Sequence, residues 1–190
     1  MSERRRIIVG ISGASGVIYA VRALQYFQQM DDVESHLVIS DSGIMSAQYE
    51  MDMTIKELRA LADVNHPVQN VGASIASGSF KTAGMLVMPC SVRTMSDICY
   101  GTTSNLLTRA ADVTLKERRP LVLLVRETPL HVGHLRTMTQ LAEMGAIIAP
   151  PVTSFYAKPK TLDDDVRHTV GRALDIFGID TGDFTRWKEG

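Results

Sequence analysis

A glycine-rich turn follows the first apolar run of the chain and is suited to binding an anion. Residues 7–11 are apolar or glycine and mostly β-branched, which is typical of a strand buried on both faces. The pattern G-x-x-G-x-x-G spans residues 10–16, and a helical pattern begins at Val17. Such a strand, turn and helix start expose backbone N–H groups that bind phosphate. Ile11 stands where a dinucleotide fingerprint has its first glycine, so close packing of strand on helix explains the turn equally well.

Hydroxyl groups and two arginines follow the later apolar runs. In a parallel α/β sheet, ligands bind beyond the carboxyl ends of the strands. The segments that follow the predicted strands are 13–15, 40–42, 89–94, 126–129 and 150–156. They are rich in hydroxyl groups and include Arg93 and Arg126. The pattern therefore predicts a phosphate-bearing ligand that is held by helix N-termini and hydroxyl groups.

Short apolar runs alternate with helical patterns along the chain, which predicts a doubly wound α/β fold around a parallel sheet. The predicted strands span 7–11, 36–39, 85–88, 121–125 and 146–149. The predicted helices span 17–30, 41–49, 54–62, 91–100, 105–118, 133–144 and 161–177. Thr54 with Glu57, and Thr161 with the acidic residues after it, predict capped helix starts. Residues 65–82 show no regular pattern and indicate a long connection, a kind of segment that often carries function.

Composition and charge exclude several classes of protein. The 190 residues are 45% hydrophobic and 22% charged, with a net charge of −1. This charge does not suggest nucleic-acid binding, and no apolar run approaches the roughly 18 residues of a membrane span. We expect one domain over residues 1–190, with a C-terminal tail from about 178. Cys90 and Cys99 form no disulfide framework, which favours the reducing cytoplasm.

Five motifs, in a fixed order, resemble those of a known family. They are Gly13-Ala14-Ser15-Gly16, Ala76-Ser77-Gly78-Ser79-Phe80, Pro89-Cys90-Ser91-x-x-Thr94, the run from Arg109 to Pro120, and Arg126-Glu127-x-Pro129. The chain resembles the UbiX-type flavin prenyltransferases, formerly described as phenylacrylic or hydroxyarylic acid decarboxylases. The run from Arg109 to Pro120 is the most specific of the five, and the resemblance extends along nearly the whole chain.

The resemblance implies a three-layer, Rossmann-like or flavodoxin-like fold and a transferase activity. Members of this family bind flavin mononucleotide (FMN) and join the dimethylallyl group of dimethylallyl phosphate to N5 and C6 of reduced FMN. The prenylated FMN serves a separate UbiD-type decarboxylase that acts on aromatic or phenolic acids. The family needs no metal, and it is typically a homododecamer whose flavin site lies at a subunit interface.

The resemblance also implies a role for each matching residue. Flavin would be bound by Gly13, Ala14, Ser15, Ser40, Ser91, Val92, Arg93, Thr94 and Arg126. Ser15 and Glu50 would lie near flavin N5, and Glu127 would exchange protons with the departing phosphate. Dimethylallyl phosphate would be held by Arg109, Lys116, Tyr156 and Arg172. The catalytic set would be Ser15, Glu50, Lys116 and Glu127.

Simpler interpretations of the same residues stay open at this point. Ser40 and Ser91 fit plain helix caps, which are themselves compatible with binding an anion. Glu50 fits a solvated helix residue. Arg109 and Lys116 are seven residues apart, so they share a face of one helix and can converge on one anion, but they also fit solvated surface charges.

Two alternative functions share the predicted fold or the flavin. An FMN-dependent cysteine decarboxylase would need a catalytic histidine shortly before the strand at Met85, where this chain has Ser-Gly-Ser at 77–79. A non-catalytic FMN-binding subunit would have no use for a second anion site. His131 and His134 lack an evident third metal ligand, and Cys90 fits a small buried residue better than a nucleophile.

Overall fold

A parallel sheet forms the centre of the molecule in the computed structural model, which describes residues 4–187. Within these residues, the sheet has six strands: β1 (Arg5–Ile11), β2 (Val33–Ile39), β3 (Val64–His66), β4 (Gly84–Cys90), β5 (Leu121–Val125) and β6 (Ile147–Ile148). The strand order is β3-β2-β1-β4-β5-β6, and every neighbouring pair is parallel. The order reverses between β1 and β4, as in Rossmann-type sheets, and a crevice opens at such a switch point.

Helices cover both faces of the sheet. The α-helices of the described part of the chain are α1 (Val17–Phe27), α2 (Asp41–Glu50), α3 (Ile55–Ala60), α4 (Val92–Cys99), α5 (Leu106–Lys116), α6 (Val132–Glu143) and α7 (Leu162–Asp175). Buried residues of α1 and α7 form one apolar core with the sheet, and those of α4, α5 and α6 form a second core on the opposite face. The predicted three-layer, doubly wound fold is therefore confirmed.

The alternation of side chains in the strands explains why both faces are covered. Ile7, Val9 and Ile11 of β1 belong to the core with α1, whereas Ile8 belongs to the core with α5. Successive strand residues point to opposite faces, so an unbroken apolar run requires an apolar layer on each side. All five residues of β5 are buried for the same reason.

The structure differs from the sequence prediction at several strands: β2 begins at Val33, three residues before the predicted start, and β3 and β4 differ further. The connection predicted over residues 65–82 overlaps the edge strand β3 and contains a short 3₁₀ helix at Ser74–Ala76. β3 escaped detection because it has three residues, of which Asn65 and His66 are polar. β4 continues through Pro89 to Cys90, beyond the predicted end at residue 88. Its register with β5 shifts between Val87 and Cys90, which accommodates a residue without an N–H group.

Helix starts follow the predicted capping chemistry. The Thr54–Glu57 pair forms a reciprocal capping box before α3, and Thr161 forms one with Asp164 before α7. After α7, the chain returns along the surface, burying Ile179 and bringing Asp183 within 2.5 Å of the Tyr26 hydroxyl. Among the described residues, no helix is both long and apolar enough to cross a bilayer.

Candidate functional site

A cavity of about 300 Å³ opens at the carboxyl edge of the sheet, where β1, β4 and β5 end. Its lining residues are Gly13, Ala14, Ser15, Ser91, Val92, Arg126, Glu127 and Thr128. It therefore occupies the switch point of the sheet, where α/β proteins of this order bind ligands. Seven of its eight lining residues belong to the site set inferred from the sequence; the eighth is Thr128.

Ser12 fixes two walls of this cavity to each other. Its fully buried hydroxyl donates to the Pro89 carbonyl at 2.9 Å and accepts from the Ser91 N–H at 2.8 Å. The Ser12 N–H also donates to Pro89 O at 3.2 Å. The turns after β1 and β4 are thus held together by one side chain. Sequence reasoning missed Ser12; the available signal was a small hydroxyl residue directly after a buried strand.

The turn after β1 packs tightly on the start of α2. A Cβ atom at Gly13 would overlap Ser42 Cβ, and one at Gly43 would lie 2.5 Å from the Ile11 carbonyl oxygen. Neither position tolerates a side chain without moving the turn. Gly13 therefore lets the backbone of the cavity wall approach α2.

The carboxylate of Glu50 occupies the N-terminus of α1. Gly16, the N-cap residue, has φ 111° and no side chain, and the Gly16 and Val17 N–H groups donate to Glu50 Oε2 at 2.8 and 3.0 Å. The sequence indicated that these donors are suited to an anion such as a ligand phosphate, with close packing of strand on helix as the alternative. The structure corrects this prediction, because a carboxylate from the end of α2 already satisfies them. Glu50 is exposed, but it is not merely a solvated helix residue.

The N-termini of α2 and α4 point toward the same edge of the sheet. Ser40 Oγ accepts from the Gly43 N–H at 3.0 Å, and Ser91 Oγ accepts from the Thr94 N–H at 3.2 Å while donating to Thr94 Oγ1 at 3.1 Å. The interpretation of both serines as helix caps is therefore confirmed. The Arg93 side chain is 86% exposed and lies 3.9 Å from an Asp97 carboxylate oxygen.

Arg126 and Glu127 project from the end of β5. Among residues 4–187, the Arg126 guanidinium has no hydrogen bond or ion pair, so its donors are available to a ligand. Glu127 Oε1 accepts from the Thr128 N–H at 3.0 Å. Cys90 lies nearby but is fully buried, and this burial raises the pKa of its thiol well above the usual range. A thiol in that environment is a packing residue rather than a nucleophile.

Arg109 and Lys116 lie outside this cavity. Both belong to α5, as predicted, on the face of the sheet opposite α7. Arg109 contacts Asp112 at 2.6 Å, and Lys116 contacts Glu117 at 2.5 Å. α5 is about 16 Å long and ends just before β5 begins, so Lys116 lies toward the amino edge of the sheet.

Tyr156 and Arg172 lie on the other side of the sheet. The Tyr156 hydroxyl donates to the Thr185 carbonyl at 3.2 Å and lies 3.4 Å from His168 Nε2. Arg172, on α7, contacts Asp175 at 3.2 Å and borders a separate cavity of about 240 Å³ beside β5 and β6. One chain therefore brings together most of the inferred flavin residues, but it does not bring the four inferred phosphate ligands to them.

His131 and His134 serve the start of α6. Their rings stack with centroids 3.6 Å apart, and His131 Nδ1 accepts from the Gly133 and His134 N–H groups at 3.0 and 3.4 Å. Within the part of the chain that the structure describes, no group of three or more histidine, cysteine or acidic side chains could hold a metal ion.

Comparisons with known proteins agree with this geometry. Residues 1–173 match the model of the Flavoprotein family. The flavin prenyltransferase UbiX of Escherichia coli strain K12 is 55% identical over 186 residues, covering 97% of this chain and 98% of the relative. The flavin prenyltransferase LpdB of Lactiplantibacillus plantarum is 47% identical over 97% of this chain and 98% of the relative.

Solved structures give the same result. The crystal structure of AnUbiX (PadA1) in complex with FMN and dimethylallyl pyrophosphate has a TM-score of 0.96 and 44% identity, covering 99% of this chain and all of that chain. The FMN-dependent cysteine decarboxylase TvaF has a TM-score of 0.63 at 15% identity over 77% of this chain and 90% of that chain, a likeness of fold alone. The cysteine decarboxylase alternative is therefore not favoured. The chain belongs to the UbiX family of flavin prenyltransferases.

Proposed function

We propose that this protein transfers the dimethylallyl group of dimethylallyl phosphate to reduced FMN, with bonds formed at N5 and C6. The observation that carries the proposal is the cavity at the switch point of the sheet. It is lined by the residues inferred to bind flavin or to act on the substrate: Gly13 to Ser15, Ser91, Val92, Arg126 and Glu127. The chain that forms this cavity is 55% identical to a flavin prenyltransferase. When bound, reduced FMN supplies the electron-rich atoms that attack the allylic carbon. The protein supplies binding, orientation and charge.

The residues present fit an FMN molecule. The Arg126 guanidinium makes no hydrogen bond or ion pair within residues 4–187 and is suited to a polar or anionic ligand group. The Ser40 hydroxyl serves as an acceptor for its helix cap, so its own proton can be donated to a phosphate oxygen. The helix N-termini behind Ser40 and Ser91 favour negative charge. Val92, Arg93 and Thr94 complete the flavin-binding set in the first turn of α4.

Ser15 and Glu50 are proposed to act at the flavin N5 edge. Ser15 is exposed in the cavity wall, so its hydroxyl can donate to or accept from a ligand atom there. Glu50 binds the backbone N–H groups of Gly16 and Val17, directly after Ser15. Its carboxylate therefore fixes the turn that carries Ser15. Glu127 is proposed to exchange a proton with the departing phosphate.

The proposed phosphate ligands require neighbouring copies of the chain. Arg109 and Lys116 lie on one face of the sheet, and Tyr156 and Arg172 lie on the other, so one chain cannot surround one anion with all four. We propose a homododecamer in which copies meet at the flavin cavity. A structurally similar protein from Escherichia coli O157:H7 is described as dodecameric (TM-score 0.94, 43% identity).

Two exposed aromatic side chains support this assembly. Tyr49 is 87% exposed and Phe155 is 82% exposed, and both are large apolar side chains that oligomers commonly bury. Cations from different copies would then stabilise the charge that develops on the departing phosphate. The product, prenylated FMN, is proposed to pass to a UbiD-type decarboxylase, and the free thiols of Cys90 and Cys99 favour the cytoplasm.

The test is an anaerobic incubation with reduced FMN and dimethylallyl phosphate, followed by mass analysis of the flavin. We expect a flavin carrying a five-carbon addition. Lys116→Ala should lower its formation by about 100-fold or more while FMN still binds, because a charge contact made in the transition state is lost. Arg126→Ala should weaken FMN binding itself. A wild-type protein that binds reduced FMN but forms no adduct would refute the proposed function.

A further inference from the structure

The turn that contains Gly78 lies directly against the end of α5. Gly78 has no side chain, and a Cβ atom built there would overlap Glu117 Oε1 and lie 2.7 Å from Lys116 Nζ. Lys116 Nζ and Glu117 Oε1 are themselves 2.5 Å apart. The space that a larger residue would fill at position 78 is therefore taken by this ion pair.

Arg119 holds the turn in that position. Its Nη2 donates to the Gly78 carbonyl at 2.8 Å, and its Nη1 donates to the Phe80 carbonyl at 2.9 Å and to Thr82 Oγ1 at 3.3 Å. Arg119 follows α5 by three residues, so these bonds tie the turn to the helix end that carries Lys116. A guanidinium reaches two carbonyls from two separate nitrogens in one rigid plane, whereas a lysine has a single donor nitrogen on a flexible stem.

The turn is also anchored on its far side. The Phe80 ring packs edge-on against the His36 ring, with centroids 5.3 Å apart, and lies under the Arg6 guanidinium at 4.8 Å. The Ser77 and Ser79 hydroxyls are 2.9 Å apart, which closes the turn across Gly78. The backbone at Gly78 is thus fixed from both directions.

We propose that Gly78 and Arg119 are positioning residues that set the location of the Lys116 ammonium group for substrate binding. The inference rests on the proposed function, in which Lys116 contacts dimethylallyl phosphate. Arg119 fixes the turn, the turn leaves one space open at Gly78, and the Lys116–Glu117 pair occupies it. A misplacement of about 1 Å in a substrate-positioning group can cost about 100-fold in rate.

Gly78→Ala tests this inference because the added methyl group meets only the ends of two flexible side chains. The backbone at Gly78 does not have the positive φ that would strain alanine, so the fold should be retained. We expect kcat/KM for dimethylallyl phosphate to fall by about 10- to 100-fold. FMN affinity should stay unchanged, since the residues at the flavin cavity are untouched.

Gly72→Ala is the matched control. Gly72 lies in the same connection, and a Cβ atom there would meet only Asn70 Oδ1, at an ordinary 3.7 Å. The control should keep the wild-type kcat/KM. Arg119→Lys is a second variant, which keeps the charge but loses the two-carbonyl contact, and it should lower kcat/KM in the same way as Gly78→Ala.

A double-mutant cycle separates this inference from the proposed function. If Gly78 acts through Lys116, Gly78→Ala should change kcat/KM less than about twofold in a Lys116→Ala background. Loss of activity in Lys116→Ala, combined with wild-type kcat/KM in Gly78→Ala, would overturn the positioning role alone. Equal losses from Gly78→Ala in both backgrounds would also overturn it. Full activity in Lys116→Ala would instead refute the proposed role of Lys116.

Discussion

The most specific structural prediction concerns the Glu50 carboxylate. Glu50 lies at the end of α2, but its carboxylate caps the start of α1. α1 begins at Val17 after Gly16, which has no side chain to satisfy the first backbone N–H groups. Both N–H groups instead donate to Glu50 Oε2, at 2.8 and 3.0 Å. Glu50→Ala removes the acceptor and the negative charge together, and it leaves two donors at the helix start to water.

The expected loss of unfolding free energy follows from these two hydrogen bonds and from the exposure of Glu50 to solvent. Replacing a helix-capping side chain with alanine typically costs about 0.5–2 kcal/mol. The charge at a helix N-terminus adds about 0.3–1 kcal/mol, but Glu50 is exposed and salt screens this contribution. We therefore expect Glu50→Ala to lower the free energy of unfolding by about 1–2 kcal/mol. For a chain of 190 residues, this corresponds to about 2–8 °C in Tm.

Urea unfolding at one fixed protein concentration measures this change, and amide exchange locates it. Glu50→Gln keeps one acceptor oxygen without the charge, so it should lose about half as much stability. Gln48→Ala, also exposed near the end of α2, is the control and should stay within about 0.5 kcal/mol of the wild type. Faster exchange should appear at the Gly16 and Val17 amides in Glu50→Ala. Wild-type stability and exchange in that variant would refute the capping role.

Three further predictions concern other elements. Burial raises the pKa of Asp63, but hydrogen bonds from Ser35 and Arg4 together outweigh it and hold the pKa below its usual value. The stabilisation from Asp63 is therefore present above about pH 4 and is lost on acidification, and acid titration of Asp63→Asn should show a smaller loss. Arg118 has φ 55° just after α5, and Arg118→Gly should raise the free energy of unfolding by about 0.5–1 kcal/mol in urea. Iodoacetamide should spare the buried Cys90 thiol in the native protein and modify it only after unfolding, whereas mass analysis should find the half-buried Cys99 modified first.

The sequence predicts the parts of the fold whose stability comes from apolar burial. Residues 7–11 of β1 and all of β5 are unbroken apolar runs, so their burial between two helix layers follows from composition. The capping box at Thr54 is local chemistry and is equally predictable. β3 is not, because it pairs with β2 through its backbone while its side chains are polar. β3 forms because its backbone can pair with the free edge of β2, and the local sequence of β3 gives no sign of this pairing.

Contacts between distant residues limit the prediction of the site in the same way. Ser40 and Ser91 are recognisable as caps because the bonds they accept come from three residues away. Glu50 acts on residues more than 30 positions earlier, and Ser12 bonds to Pro89, so neither role follows from local spacing. Family resemblance supplied Glu50 as a flavin neighbour, but its backbone partners required the structure.

These contacts explain why the glycine-rich turn resembles a dinucleotide fingerprint without being one. In a dinucleotide site, the pyrophosphate sits on the helix N-terminus that follows the first strand. Here the Glu50 carboxylate occupies that N-terminus, and a second anion beside it would be repelled. We propose that the helix starts at Ser40 and Ser91 bind the ligand phosphate instead. A mononucleotide needs only one such site, so the missing glycine at Ile11 agrees with FMN rather than with a dinucleotide.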